Sequence, residues 1–227
     1  PGSRPNNYKR MAARQRQTYG EEVANVLTHG AGMLFGMTAI IVLMMAAIRS
    51  GNPWAIGSFA VYAVCMTLSY VTSTFYHAST HARQKRLLRR FDHGAIYLHI
   101  AGTYTPFTLL ALRQEGYWGW SLFAVIWIAA VIGVWLSFRK MRKKDHLKTV
   151  CYLAMGWVVI IAFKPLLHVF RETGSMNVLY WLIGGGLFYT VGCLFFFLDK
   201  YKYMHPVWHF FVLGGSICHF ISIYLLV

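Results

Sequence analysis

Apolar residues in this chain do not alternate, and they do not mark one face of an otherwise polar helix. They run on. From residue 23 to residue 227, apolar stretches of about 20 residues follow one another with short polar connections between them, the length at which a helix crosses a ~30 Å hydrocarbon layer. Seven spans result, at about 23 to 48, 54 to 78, 92 to 112, 117 to 138, 147 to 169, 177 to 199 and 204 to 226. All seven predict helices: a β-barrel would show strict alternation, whereas Ala39-Ile40-Ile41-Val42-Leu43-Met44-Met45 is apolar throughout. The expected fold is an all-α, seven-transmembrane helix bundle formed by residues 21–227. Residues 1–20 precede it as a polar, basic segment without the apolar core of a cleaved signal peptide. Pro1-Gly2-Ser3 reads as a cloning remnant. Gly184-Gly185-Gly186 and Gly214-Gly215 predict close helix packing. Pro106, ending Gly102-Thr103-Tyr104-Thr105-Pro106, predicts a bend in span three with a freed carbonyl.

Composition agrees: 57% of residues are hydrophobic and 13% charged, against about 25% charged in soluble domains. The net charge of +15 does not point to nucleic acid, because the basic residues lie between the apolar runs and are not interleaved with base-stacking aromatics. Their distribution sets an orientation instead. Eighteen Lys and Arg fall on one side: five in the N-terminal segment, five from Arg83 to Arg90, six from Arg139 to Lys148, then Lys200 and Lys202. The other side has Arg49, Arg113 and Arg171. Cytoplasmic loops carry the excess, which predicts a cytoplasmic N-terminus, an outside C-terminus and residence in a bacterial inner (plasma) membrane. The cysteines, Cys65, Cys151, Cys193 and Cys218, all fall inside spans and read as buried free thiols.

Ionisable groups at the lips of spans are costly and mark function. Four share the cytoplasmic side: His77 at the end of span two, Asp92 at the start of span three, and His205 and His209 at the start of span seven. His205 and His209, four apart, stack on one helix face about 6 Å apart along the axis. With His77 they offer three imidazoles and leave one tetrahedral position open, the pattern of a catalytic zinc site. Imidazole also suits copper, iron or nickel, so Zn2+ is the preferred expectation among several. Asp92 is expected to hold the water in the open position. Ser73, one turn before His77, shares its face. Glu22, Asn25 and His29 recur at helical spacing at the start of span one, as supports for the site or as a polar helix entrance. His93 is expected to face away, and His99 and His219 to be buried, hydrogen-bonded histidines.

Glu22-x-x-Asn25-x-x-x-His29, Ser73-x-x-x-His77, Phe91-Asp92-His93 and His205-x-x-x-His209, in that order on seven spans, resemble the hemolysin III branch of the progestin and adipoQ receptor family. More distantly they are similar to adiponectin receptors and alkaline ceramidases. The resemblance runs from about residue 21 to 227. It implies zinc held by His77, His205 and His209, with Asp92 on the water, and a role in membrane-lipid homeostasis. Membrane lipids are the expected substrate or ligand, with hydrolysis of an amide or ester as the expected chemistry: Asp92 as general base, Ser73 on the water or the oxyanion. The rival expectation is a non-catalytic sensor in which zinc ties spans two and seven together. A pore-forming toxin, suggested only by the family's name, draws no support from these residues. Oligomeric state is not legible.

Overall fold

A computed structural model describes residues 17–139 and 145–227. The predicted N-terminal segment up to residue 16 and the basic residues 140–144 lie outside the described residues. Every regular element within them is helical. They are α1 (Tyr19–Ser50), α2 (Pro53–Ala78), α3 (Ala82–Pro106), α4 (Trp118–Phe138), α5 (Asp145–Trp157), α6 (Phe163–Glu172), α7 (Met176–Phe197) and α8 (Met204–Tyr224). A π-helical stretch, Phe107–Ala111, extends α3, and a 3-10 stretch, Val158–Ala162, joins α5 to α6, so the chain forms seven helical segments among the described residues. Six are long and apolar enough to cross a membrane, with α5 and α6 crossing together as Leu147–Glu172. The molecule is a multi-pass integral membrane protein.

The remaining segment, α3, is the most polar, and its second half is enclosed. Every residue from 101 to 108 is buried, so its threonines and tyrosine meet neighbouring helices and not lipid. Pro106 cannot donate to the carbonyl one turn back, and the α-helix ends there. Thr108 Oγ1 then donates to the Tyr104 carbonyl at 3.1 Å and the Thr105 carbonyl at 3.0 Å, while Leu112 N reaches back to the Phe107 carbonyl at 3.0 Å. The Tyr104, Thr105 and Phe107 carbonyls around the proline thus have donors inside the protein, as an apolar solvent demands.

Three sequence expectations need correction. Residues 82–91, expected as a connection, are helical: Ala, Arg, Gln, Lys and Leu are strong helix formers, and α3 continues beyond the apolar span into polar surroundings. Span five is broken, not continuous. The Tyr104 hydroxyl from α3 donates to the Gly156 carbonyl at 2.7 Å and accepts from Val159 N at 2.8 Å, which stitches the break. The thiols are free, but only Cys65 and Cys218 are buried; Cys151 is exposed because it lies on the outward face of α5.

Glycines set the closest approaches. A Cβ on Gly32 of α1 would overlap the Tyr70 ring of α2, and one on Gly185 of α7 would overlap the His219 ring of α8. Small residues at such crossings let helices pack without a hydrophobic driving force. Gly185 and Gly215 fulfil the packing expectation, whereas Gly184 faces open space.

Candidate metal centre

The start of α1 is fixed by a capping box: Glu21 N donates to Thr18 Oγ1 at 3.3 Å, and Thr18 N to Glu21 Oε2 at 2.8 Å. The same carboxylate accepts from Tyr203 N at 2.9 Å, and Tyr203, with φ 62°, is the residue from which α8 starts. The first turn of α8 is therefore tied to the first turn of α1. His205 and His209 follow directly, and His77 at the end of α2 meets them.

The three rings converge. Ring centroids are 5.3 Å apart for His77 and His205, 5.2 Å for His77 and His209, and 4.5 Å for His205 and His209. One nitrogen from each lies within 4.8 Å of the others. The far sides of two rings are held. His77 Nδ1 lies 2.7 Å from Glu22 Oε2 and 3.3 Å from Asn25 Nδ2, and Glu22 Oε1 accepts from Lys85 Nζ at 2.7 Å. His209 Nδ1 lies 3.2 Å from Thr28 Oγ1. That hydroxyl already donates to the Ala24 and Asn25 carbonyls at 2.9 and 3.0 Å, so it accepts from Nδ1–H. Both contacts suit Nδ1–H tautomers, which leave the Nε2 lone pairs free. A carboxylate or hydroxyl behind a ligating imidazole is the arrangement that orients metal-binding histidines.

His209 Nε2 is buried without any hydrogen-bond partner. Leaving such an atom unpaired costs on the order of 1–3 kcal/mol, and a cation held among the three converging imidazole nitrogens removes that cost. The donor set fits a divalent metal that favours nitrogen.

Asp92 lies outside the three-histidine group. Half-buried, it has the Ser73 hydroxyl as hydrogen-bond partner and His77 as a near neighbour. Ser73 is buried at 3% exposure, so the pair stands beside His77 with its hydroxyl out of solvent. Glu22 and Asn25 stand against His77, as the helical spacing allowed. His29 makes ring contacts only: it sits edge-on to His209 with centroids 3.7 Å apart and stacked on His77 at 6.4 Å, and neither of its nitrogens has a hydrogen-bond partner. His93 faces α5, with its Nδ1 3.4 Å from the Tyr152 hydroxyl.

Sequence reasoning missed Thr28 and Lys85. Thr28 continues the Glu22, Asn25 face by three residues and could have been found there. Lys85 is one cation among several in its connection and carries no distinguishing signal.

A second polar layer lies about 10 Å deeper, seven residues along α8 from His209. Ser216 is its hub: Tyr70 donates to Ser216 Oγ at 2.7 Å, Tyr189 lies 2.8 Å from the same oxygen, and Tyr62 donates to the Ser216 carbonyl at 3.3 Å. His99 and His219 flank it. The His99 ring is 6.3 Å from those of Tyr70 and Tyr189, and His219 Nε2 donates to the Leu182 carbonyl at 3.2 Å.

Comparison with known proteins identifies relatives of the chain. A sequence model of the family described as "Haemolysin-III related" matches residues 17–220. Hemolysin-3 of Bacillus cereus is 42% identical over 210 residues, which cover 92% of this chain and 93% of that protein. The Hemolysin-3 homolog of Bacillus subtilis (strain 168) is 40% identical over 206 residues, 91% of this chain and 94% of its own. The human monocyte to macrophage differentiation factor is 27% identical over 217 residues, covering 93% and 86% respectively.

Proposed function

The chain belongs to the haemolysin-III related family, and on that premise we propose that it is a zinc-dependent hydrolase of a membrane lipid, cleaving an amide or ester. The observation that carries this reading is the convergence of His77, His205 and His209 beside the Asp92–Ser73 pair. We read all seven helical segments as crossing, with the N-terminus in the cytoplasm and the site at the cytoplasmic face of a bacterial inner (plasma) membrane; the eighteen-to-three charge asymmetry supports this.

His77, His205 and His209 would hold the ion. When bound, zinc supplies Lewis-acid chemistry, lowering the pKa of a water and polarising a carbonyl. The protein's own groups do the rest. Glu22 and Thr28 hold the Nδ1–H groups of His77 and His209, and Lys85 balances the charge of Glu22. An Asp92 carboxylate oxygen takes the proton of the attacking water, and the Ser73 hydroxyl keeps that carboxylate oriented. The water oxygen adds to the acyl carbon, the carbon–nitrogen or carbon–oxygen bond breaks, and the proton leaves with the amine or alcohol. The acyl chain lies between helices and the polar group faces the cytoplasm.

The test is purified, zinc-loaded protein presented with total bacterial lipid and followed by mass spectrometry. Release of a fatty acid, abolished by Asp92→Asn with zinc retained, is the expected result. No turnover by fully loaded wild type overturns the reading.

The rival is a sensor with a structural ion. It is favoured by one observation: the histidines join α2 to α8, which are far apart in sequence. On that reading His209→Ala lowers thermal stability while Asp92→Asn leaves cellular function intact.

A further inference from the structure

At the end of the bundle opposite the histidines, the start of α2, the end of α3 and the middle of α4 enclose an open cavity of about 360 Å³. Trp54, Gly57, Val61, Leu109, Phe123 and Trp127 provide most of its wall. The two hydroxyls there are already committed. Ser58 Oγ donates to the Trp54 carbonyl at 2.6 Å, and Thr105 Oγ1 donates to the Ala101 carbonyl at 2.9 Å and accepts from Trp127 Nε1 at 3.1 Å. The cavity therefore offers an occupant apolar contact and little else. It extends about 12 Å along α2 from Pro53 to Val61.

The mouth is different. The Arg113 guanidinium lies over the Trp54 ring, 4.5 Å from its centroid, and Arg113 Nε donates to the Leu109 carbonyl at 3.2 Å. Both contacts are to residues of the cavity wall. The ion pairs of Glu22 lie at the other end of the molecule, and among the described residues Arg113 makes no ion pair, so its charge is left without an acidic partner there. Fixing Nε leaves the paired Nη groups to face an acceptor, and a planar guanidinium matches phosphate oxygens two at a time. Trp54 and Trp120 meet edge to face at 5.9 Å, with Tyr117 and Trp118 stacked nearby at 5.1 Å. Such an aromatic girdle marks the headgroup level of a bilayer.

We propose that this cavity is a lipid site for an anionic phospholipid, one acyl chain lying along Gly57 and Val61 and the phosphate on Arg113. It belongs to the leaflet opposite the metal centre and rests on no part of the hydrolase reading. A neutral phospholipid could fill the apolar wall but would leave the guanidinium without net charge compensation. That difference is what recognition would consist of.

The test is native mass spectrometry of the full chain in detergent, titrated with equal phosphatidylglycerol and phosphatidylcholine of matched chains. Wild type should retain phosphatidylglycerol roughly fivefold or more over phosphatidylcholine, the order expected for one basic residue at a membrane surface. Arg113→Gln should erase the preference while still retaining lipid. Gly57→Phe should lower retention of both, since a Cβ at Gly57 meets nothing within 4 Å and the ring can fill the cavity without disturbing the helix. A thermal melt checks that both variants fold. Equal retention by wild type, a preference that survives in Arg113→Gln, retention unchanged in Gly57→Phe, or displacement of phosphatidylglycerol by oleate would each overturn the proposal.

Discussion

The bundle buries histidines at two depths and holds them in different ways. In the outer layer, His77 and His209 have their Nδ1 atoms turned outward onto Glu22 and Thr28, and their free nitrogens converge with that of His205. In the deeper layer, His219 spends its Nε2 proton on the Leu182 backbone carbonyl, and His99 stands among the rings of Tyr62, Tyr70 and Tyr189. Both layers contain unpartnered imidazole nitrogens, so burial alone does not tell them apart. Direction does. A metal centre needs several imidazole lone pairs that meet at one point, and among the described residues only the outer layer brings three together.

The comparison can be broken most severely at a ligand. His209→Ala should take purified protein from about one ion per chain to none by elemental analysis, whereas His219→Ala should keep its ion; loss of metal in both would erase the distinction. Next comes the carboxylate behind His77. Glu22→Gln keeps the shape and removes the charge, and a zinc titration against a competing chelator should show affinity about 10–100-fold weaker. The deep layer should answer in stability. Gly185→Ala forces a methyl into the His219 ring and should cost about 1–3 kcal/mol, read as a lower thermal midpoint with metal content unchanged in the folded fraction. The smallest effect belongs to Thr28→Val, which removes one acceptor from His209 Nδ1. It should weaken zinc at the low end of the range for Glu22→Gln, and an unchanged affinity would show that Thr28 does not set the tautomer.

What could be read from sequence was what depends on local spacing. Continuous apolar runs gave the helices, and the four-residue step from His205 to His209 gave a shared face. The basic connections put His77 and Asp92 at the same end before any contact was known. What could not be read depends on contacts between helices. The break after Trp157 is stabilised by the hydroxyl of Tyr104, from another helix, and nothing in residues 145–172 announces that partner. Lys85 is chosen over Arg83 and Arg86 only because its amine reaches Glu22. The outward position of Cys151 follows from how α5 is rotated, which an apolar run on all faces cannot specify.

The histidine cluster draws on α2 and on the last helix of the chain, and this has a consequence for biogenesis. His77 and His205 are separated by about 130 residues, so at ribosomal rates of about 5–20 residues per second roughly 6–26 s pass between their emergence. During that time His77, Glu22 and Lys85 can already be in the membrane, but no three-imidazole cage exists to trap an ion. On the proposed metal-binding reading, capture can follow only the insertion of α8, and a ribosome that stops early leaves a protein unable to load. Zinc uptake would thus report that translation of the helical domain had reached its last span.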